Sequence, residues 1–163
     1  MADVVMDQHC HLFDLARFLM GDVKMAKAIR SSRSHDARDY VVAVEFQSGA
    51  VGTLNFSSGQ IAEKEFIYFE ITGKGTFLHS HGCEKLMWYR PAKAPWWKEP
   101  QADYVFGRGV YGGQVTLETL GYVADVANFI AAVKGEAEDL SPIGSAVGTM
   151  ELCEEVLRQI ERE

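Results

Sequence analysis

Cysteine, proline and basic charge are scarce in this 163-residue sequence, and it contains no long apolar run. The three cysteines, Cys10, Cys83 and Cys153, are widely separated and form no C-x-x-C pair. That pattern excludes a disulfide framework and the usual zinc or thiol-redox motifs. They read as small buried residues in a reducing compartment. Sixteen Lys+Arg against 23 Asp+Glu leave a net charge of −7. A general nucleic-acid binder is disfavoured, because neutralising phosphates requires a basic face. No stretch approaches the ~20 apolar residues that span a bilayer. The start, Met-Ala-Asp-Val-Val-Met-Asp, lacks the basic and apolar regions of a secretory signal. The expected setting is the cytoplasm, with neither membrane nor nucleic acid as partner.

At 47% hydrophobic and 24% charged, the composition is that of an ordinary globular domain. The length suffices for one real core but not for a dinucleotide-binding domain beside a separate substrate domain. Residues 1–163 are therefore read as a single domain. Charge is uneven along it: Lys24, Lys27, Arg30, Arg33 and Arg38 face only Asp36, whereas residues 134–163 are strongly acidic. Such runs are usually solvated faces.

The spacing predicts a helix over residues 7–20, with Leu12, Leu15, Ala16 and Leu19 on one side and Gly21 as its C-terminal cap. The period then changes to two. Val23–Ile29 alternates, Tyr40, Val42, Val44 and Phe46 share a face, and Ser48-Gly49 makes a tight turn into a strand with Leu54 and Phe56. EFIYFEI, TFLHSH and EKLMWYR are three further strands, punctuated by Gly73-Lys74-Gly75 and Gly82. Residues 90–114 hold three of the four prolines and read as a long loop. Helical period returns with Leu117, Leu120, Ala124, Ala127 and Ala131, closed by Gly135. After Ser141-Pro142 a last helix aligns Val147, Met150, Cys153, Leu157 and Ile160. The expected fold is α+β, a largely antiparallel or mixed open-faced sheet of about six strands with helices packed on one face.

The concentrated polar group is Asp7-Gln8-His9-Cys10-His11-Leu12-Phe13-Asp14. On a helix Asp7, His11 and Asp14 fall on one side, and His9 lies about 160° from His11. Two readings fit: a capping carboxylate with a hydrogen-bonded histidine, or a general base with an orienting acid. Spacing alone favours the first. A metal set of Asp7, His9 and His11 is weakened by the divergence of the two histidines. His79 and His81 share a strand face, which makes them a second metal candidate, but read as exposed histidines at a strand end; His35 is a loop residue. Gly73-Lys74-Gly75 is too short for a phosphate loop, and the G-x-G-x-x-G fingerprint is absent. Trp96-Trp97 is read as an aromatic plug, with stacking on a sugar as its alternative.

Four stretches together resemble the C-terminal domain of the Gfo/Idh/MocA oxidoreductases, named for glucose-fructose oxidoreductase and inositol dehydrogenase. They are VVMDQHCHLFDLARFLMGDV with its D-x-x-x-H-x-x-D helix, DYVVAVEFQSGAVGTLNFSS, FEITGKGTF, and YVADVANFIAAVKGE with LSPIGSAVGTMELCEEVL. The resemblance implies a dihydrodipicolinate-reductase-like fold and the substrate-binding, oligomerising half of an NAD(P)-dependent enzyme acting on a sugar, cyclitol or related polyol. It implies that His11 exchanges a proton with the substrate hydroxyl, that Asp7 supports it, and that Asp14 and His9 contact the substrate. A homodimer or tetramer through the open sheet face is expected. NAD or NADP belongs to the full-length enzyme, and none is expected on this chain alone, because it has no nucleotide-binding first domain and no Glu-Lys-Pro motif in the family's position. The other readings are a stand-alone binding or assembly module and a small metal-dependent hydrolase.

Overall fold

The computed structural model describes residues 4–31, 39–57, 67–81, 85–90, 101–107 and 121–162. A π-helical turn, Val5–His9, runs into α1 (Cys10–Met20). Seven strands follow: β1 (Val23–Arg30), β2 (Tyr40–Phe46), β3 (Val51–Phe56), β4 (Tyr68–Gly73), β5 (Thr76–His81), β6 (Lys85–Arg90) and β7 (Gln101–Gly107). Helices α2 (Tyr122–Val133) and α3 (Ile143–Arg162) close the chain order. The α+β architecture is the expected one. Two details differ: the strands form sheets of three and four in place of one sheet of about six, and strand β7 lies inside the stretch read as loop, where the prolines at 91, 95 and 100 precede a strand that starts just after them. Residues 91–100 and 108–120, with Trp96, Trp97, Leu117 and Leu120, lie outside the described residues, as do His35 and Gly82.

The chain divides into two compact units, residues 1–61 with 141–163 and residues 62–140. In the first, β1-β2-β3 form an antiparallel sheet; in the second, β4-β5-β6-β7 form another. The alternation read from DYVVAVEFQ is borne out, because Tyr40, Val42, Val44 and Phe46 all point inward and are buried. They meet Phe13 of α1 and Leu152, Cys153, Val156 and Ile160 of α3 in one core, so both helices cover the same face of the sheet. The β2–β3 turn is closed by the Gly49 N–H on the Phe46 carbonyl, with Gly49 at φ 84°, a conformation that favours glycine.

Gln159 of α3 fixes the helix against β1. Its Oε1 accepts from the Ala28 N–H at 2.8 Å and its Nε2 donates to the Ala26 carbonyl at 3.1 Å. The side-chain amide thus satisfies the backbone of a strand at the sheet's edge, as a neighbouring strand would. Gly21 ends α1 as expected, its N–H on the Arg17 carbonyl at 2.8 Å and its φ at 87°.

Candidate functional site

The first helix presents two unlike sides. Val4, Val5 and Phe13 are buried, whereas Asp7, Gln8, His11 and Asp14 are exposed. Apolar burial therefore orients the helix and leaves its carboxylates and His11 facing water. The wide turn at Val5–His9 uses i→i+5 bonding, a local form that recurs at functional sites.

His9 and His11 diverge as the helical spacing requires. His9 turns toward the sheet, where its Nδ1 lies 2.7 Å from the Tyr40 hydroxyl and its ring sits 4.6 Å from that of Phe56. Tyr40 is nearly inaccessible, so its hydroxyl needs an internal partner, and His9 is one. Burial, with the Cys153 thiol adding to it, pushes the Tyr40 phenol far above its ordinary pKa, so it stays protonated. His9 thereby ties the π-turn to β2, whatever else it touches.

Asp7 and His11 make no side-chain hydrogen bond or ion pair with each other among the described residues. Asp7 contributes its backbone carbonyl, which accepts from the Cys10 thiol at 3.3 Å. Burial raises the Cys10 pKa, and the charges of Asp7 and Asp14 push the same way. Cys10 therefore stays a thiol and is a poor nucleophile. Asp14 is held by a group far away in sequence: its Oδ1 accepts from the Thr149 hydroxyl of α3 at 2.6 Å. The Thr149 oxygen in turn accepts from Arg17 Nη1, also at 2.6 Å. Arg17 further donates to the Ser145 carbonyl at 2.7 Å and pairs with Asp22 at 2.5 Å. Reading the sequence missed Tyr40, Arg17 and Thr149 as partners. Arg17 alone carried a signal, one turn beyond Asp14.

In the second unit His79 is half-buried rather than lying free at a strand end, with Tyr68 edge-on at 5.1 Å and Phe77 at 6.3 Å. The Tyr68 hydroxyl donates to Glu70, which raises the Tyr68 pKa. Among the described residues no group of three or more His, Cys, Asp and Glu side chains could hold a metal ion. Every strand pair among the described residues is antiparallel, unlike the parallel β-α-β units of a dinucleotide-binding fold.

The described residues thus form an α+β domain whose first helix, bearing acids and a histidine, packs on an antiparallel sheet. The sequence matches the oxidoreductase family, C-terminal alpha/beta domain, of the Gfo/Idh/MocA group over residues 3–163. The chain belongs to that family. Solved structures share the fold at low identity. A levoglucosan dehydrogenase in complex with NADH superposes with a TM-score of 0.77 at 13% identity, over 98% of this chain and 48% of that one. An NAD binding oxidoreductase from Klebsiella pneumoniae gives 0.74 at 17%, over 96% and 48%. An oxidoreductase from Agrobacterium radiobacter in complex with NAD+, L-tartaric acid and magnesium gives 0.72 at 15%, over 94% and 45%. The chain thus spans about half the length of these structures. No curated protein matches it by sequence.

Proposed function

We propose that this domain is the substrate-binding half of an NAD(P)-dependent oxidoreductase acting on a sugar, cyclitol or related polyol. The observation that carries the reading is the exposed polar side of the first helix, where Asp7, His11 and Asp14 face water while the opposite side is packed into the core. His11 is the group that exchanges a proton with a substrate hydroxyl, at a position with no competing partner among the described residues. Asp7, one turn earlier, stabilises the imidazolium. Asp14 and the neighbourhood of His9 contact the substrate. NAD or NADP serves as redox partner in the full-length enzyme, held by a dinucleotide-binding domain. Levoglucosan and L-sorbose, bound in complexes of a fold-sharing dehydrogenase, support a carbohydrate-like substrate.

Self-association through the outward face of β1–β3 belongs to the same proposal. Met25, Ile29, Val41 and Val51 are exposed there, and Ile29 lies opposite Val41 in register. No helix among the described residues is long and apolar enough to cross a membrane. The free thiols of Cys10 and Cys153 support a reducing, cytoplasmic setting.

Joining the chain to a dinucleotide-binding domain and assaying polyol oxidation tests the reading. His11→Asn should lower kcat by about 10² to 10⁴-fold, the usual contribution of a general acid-base group, with Asp7→Asn doing less. Turnover unchanged by His11→Asn would overturn the assignment and leave an assembly module in its place.

A further inference from the structure

Behind the exposed side of α1 a directed chain of hydrogen bonds runs from a shielded cation to an open carboxylate. Arg17 has donors only, so the Thr149 oxygen must accept from its Nη1, at 2.6 Å. The single hydroxyl proton of Thr149 is then committed to Asp14 Oδ1, also at 2.6 Å. Thr149 is 4% exposed and the Arg17 side chain 15%, while Asp14 opens to solvent. Both links are charge-assisted and strong for their type. Gly148 leaves room for the guanidinium: a Cβ there would lie 2.5 Å from Arg17 Nη2 and 2.9 Å from its Cζ.

We propose that Thr149, polarised by Arg17, is a positioning residue that aims the Asp14 carboxylate. It keeps Oδ1 occupied and leaves Oδ2, which carries no hydrogen bond among the described residues, for a substrate hydroxyl. His11 and Asp14 stand three positions apart on one helix, so their side chains are neighbours about 5–6 Å apart at Cβ. A polyol can meet both groups, one hydroxyl at His11 and another at Asp14. A polyol that reaches both therefore binds better than an isolated alcohol. This inference rests on reading the polar side of α1 as the substrate face.

The test titrates the 163-residue chain with myo-inositol, and separately with cyclohexanol, while the amide resonances of residues 7–14 are followed by NMR. Myo-inositol should give saturable shifts and cyclohexanol none. Thr149→Val should weaken myo-inositol binding about three- to ten-fold, the loss expected for one hydrogen bond, and Thr149→Ser should restore it. Should Thr149→Val unfold the chain, Arg17→Lys and Asp14→Asn with their double variant replace it; affinity losses that simply add would overturn the relay. Wild-type affinity in a folded Thr149→Val, or equal weakening in the Val and Ser variants, overturns the positioning role and leaves the substrate face standing. A folded wild-type chain with no myo-inositol-dependent shift in residues 7–14 overturns the role and the face together.

Discussion

Helices α2 and α3 make an instructive pair, since the more apolar of the two buries less. Val123, Val126, Phe129, Ile130 and Val133 of α2 are all exposed, and no residue of that helix is buried. In α3, rich in glutamate and arginine, Leu152, Cys153, Val156 and Ile160 are sealed against β1–β3 and α1. Apolar content makes a helix face in need of cover; only a partner surface at the right place supplies it. In α3 the sheet and the Gln159 bridge to β1 are that partner.

The contrast breaks or sharpens under three measurements. Truncation in the sealed core should cost most. Phe13 is fully buried, its ring 5.0 Å from that of Phe56, so Phe13→Ala should lose about 3–5 kcal/mol in denaturant unfolding. A loss under ~1 kcal/mol would mean that the core does not hold the first unit together.

Alkaline pH should come next. Burial pushes the Cys153 thiol up from its ordinary 9.0 to about 11, with the Cys10 and Asp14 charges adding to it. A folded-state pKa above the unfolded one means that the folded form holds the proton more tightly. The resulting stability is complete below pH 9, shrinks as pH rises and is gone above 11, a loss of about 2 kcal/mol. Tyr40, raised by burial, acts in the same direction at still higher pH. Cys153→Ala should flatten the fall between pH 9 and 11. Parallel curves for variant and wild type would show that the thiol's burial contributes nothing to it. Least of all should come from Phe129→Ala in α2, which should change stability by no more than about 0.5 kcal/mol, as for an exposed side chain. A loss of the Phe13 size there would erase the difference between the two helices.

Much of the fold was legible along the chain. The β2 alternation, the Ser48-Gly49 turn, the hairpin at Lys74-Gly75 and the caps at Gly21 and Gly135 stand where residue chemistry put them. The stripes were less exact. In α1 the fully buried residue is Phe13, one position beyond Leu12, with Leu12 and Ala16 packed beside it and Leu19 exposed. In α3 Val147 is exposed, and Val156, which the reading of the stripe did not name, is sealed in the core. Strand β7 was hidden by its proline-rich approach.

The site divides in the same way. That Asp7, His11 and Asp14 share a helix side, and that His9 leaves it, follows from the positions of the residues along the helix. Turns, caps, periods and this spacing rest on groups a few residues apart, so the sequence by itself determined them, together with the family to which its motifs belong. The partners of those groups were decided by tertiary structure alone. Tyr40 meets His9 across 31 positions, Arg17 meets Thr149 across 132, and Thr149 meets Asp14 across 135. No local pattern encodes such pairings, because a carboxylate on an exposed helix has the same sequence signature whether water or a buried threonine holds it. Folding α3 against the sheet beside α1 made the difference.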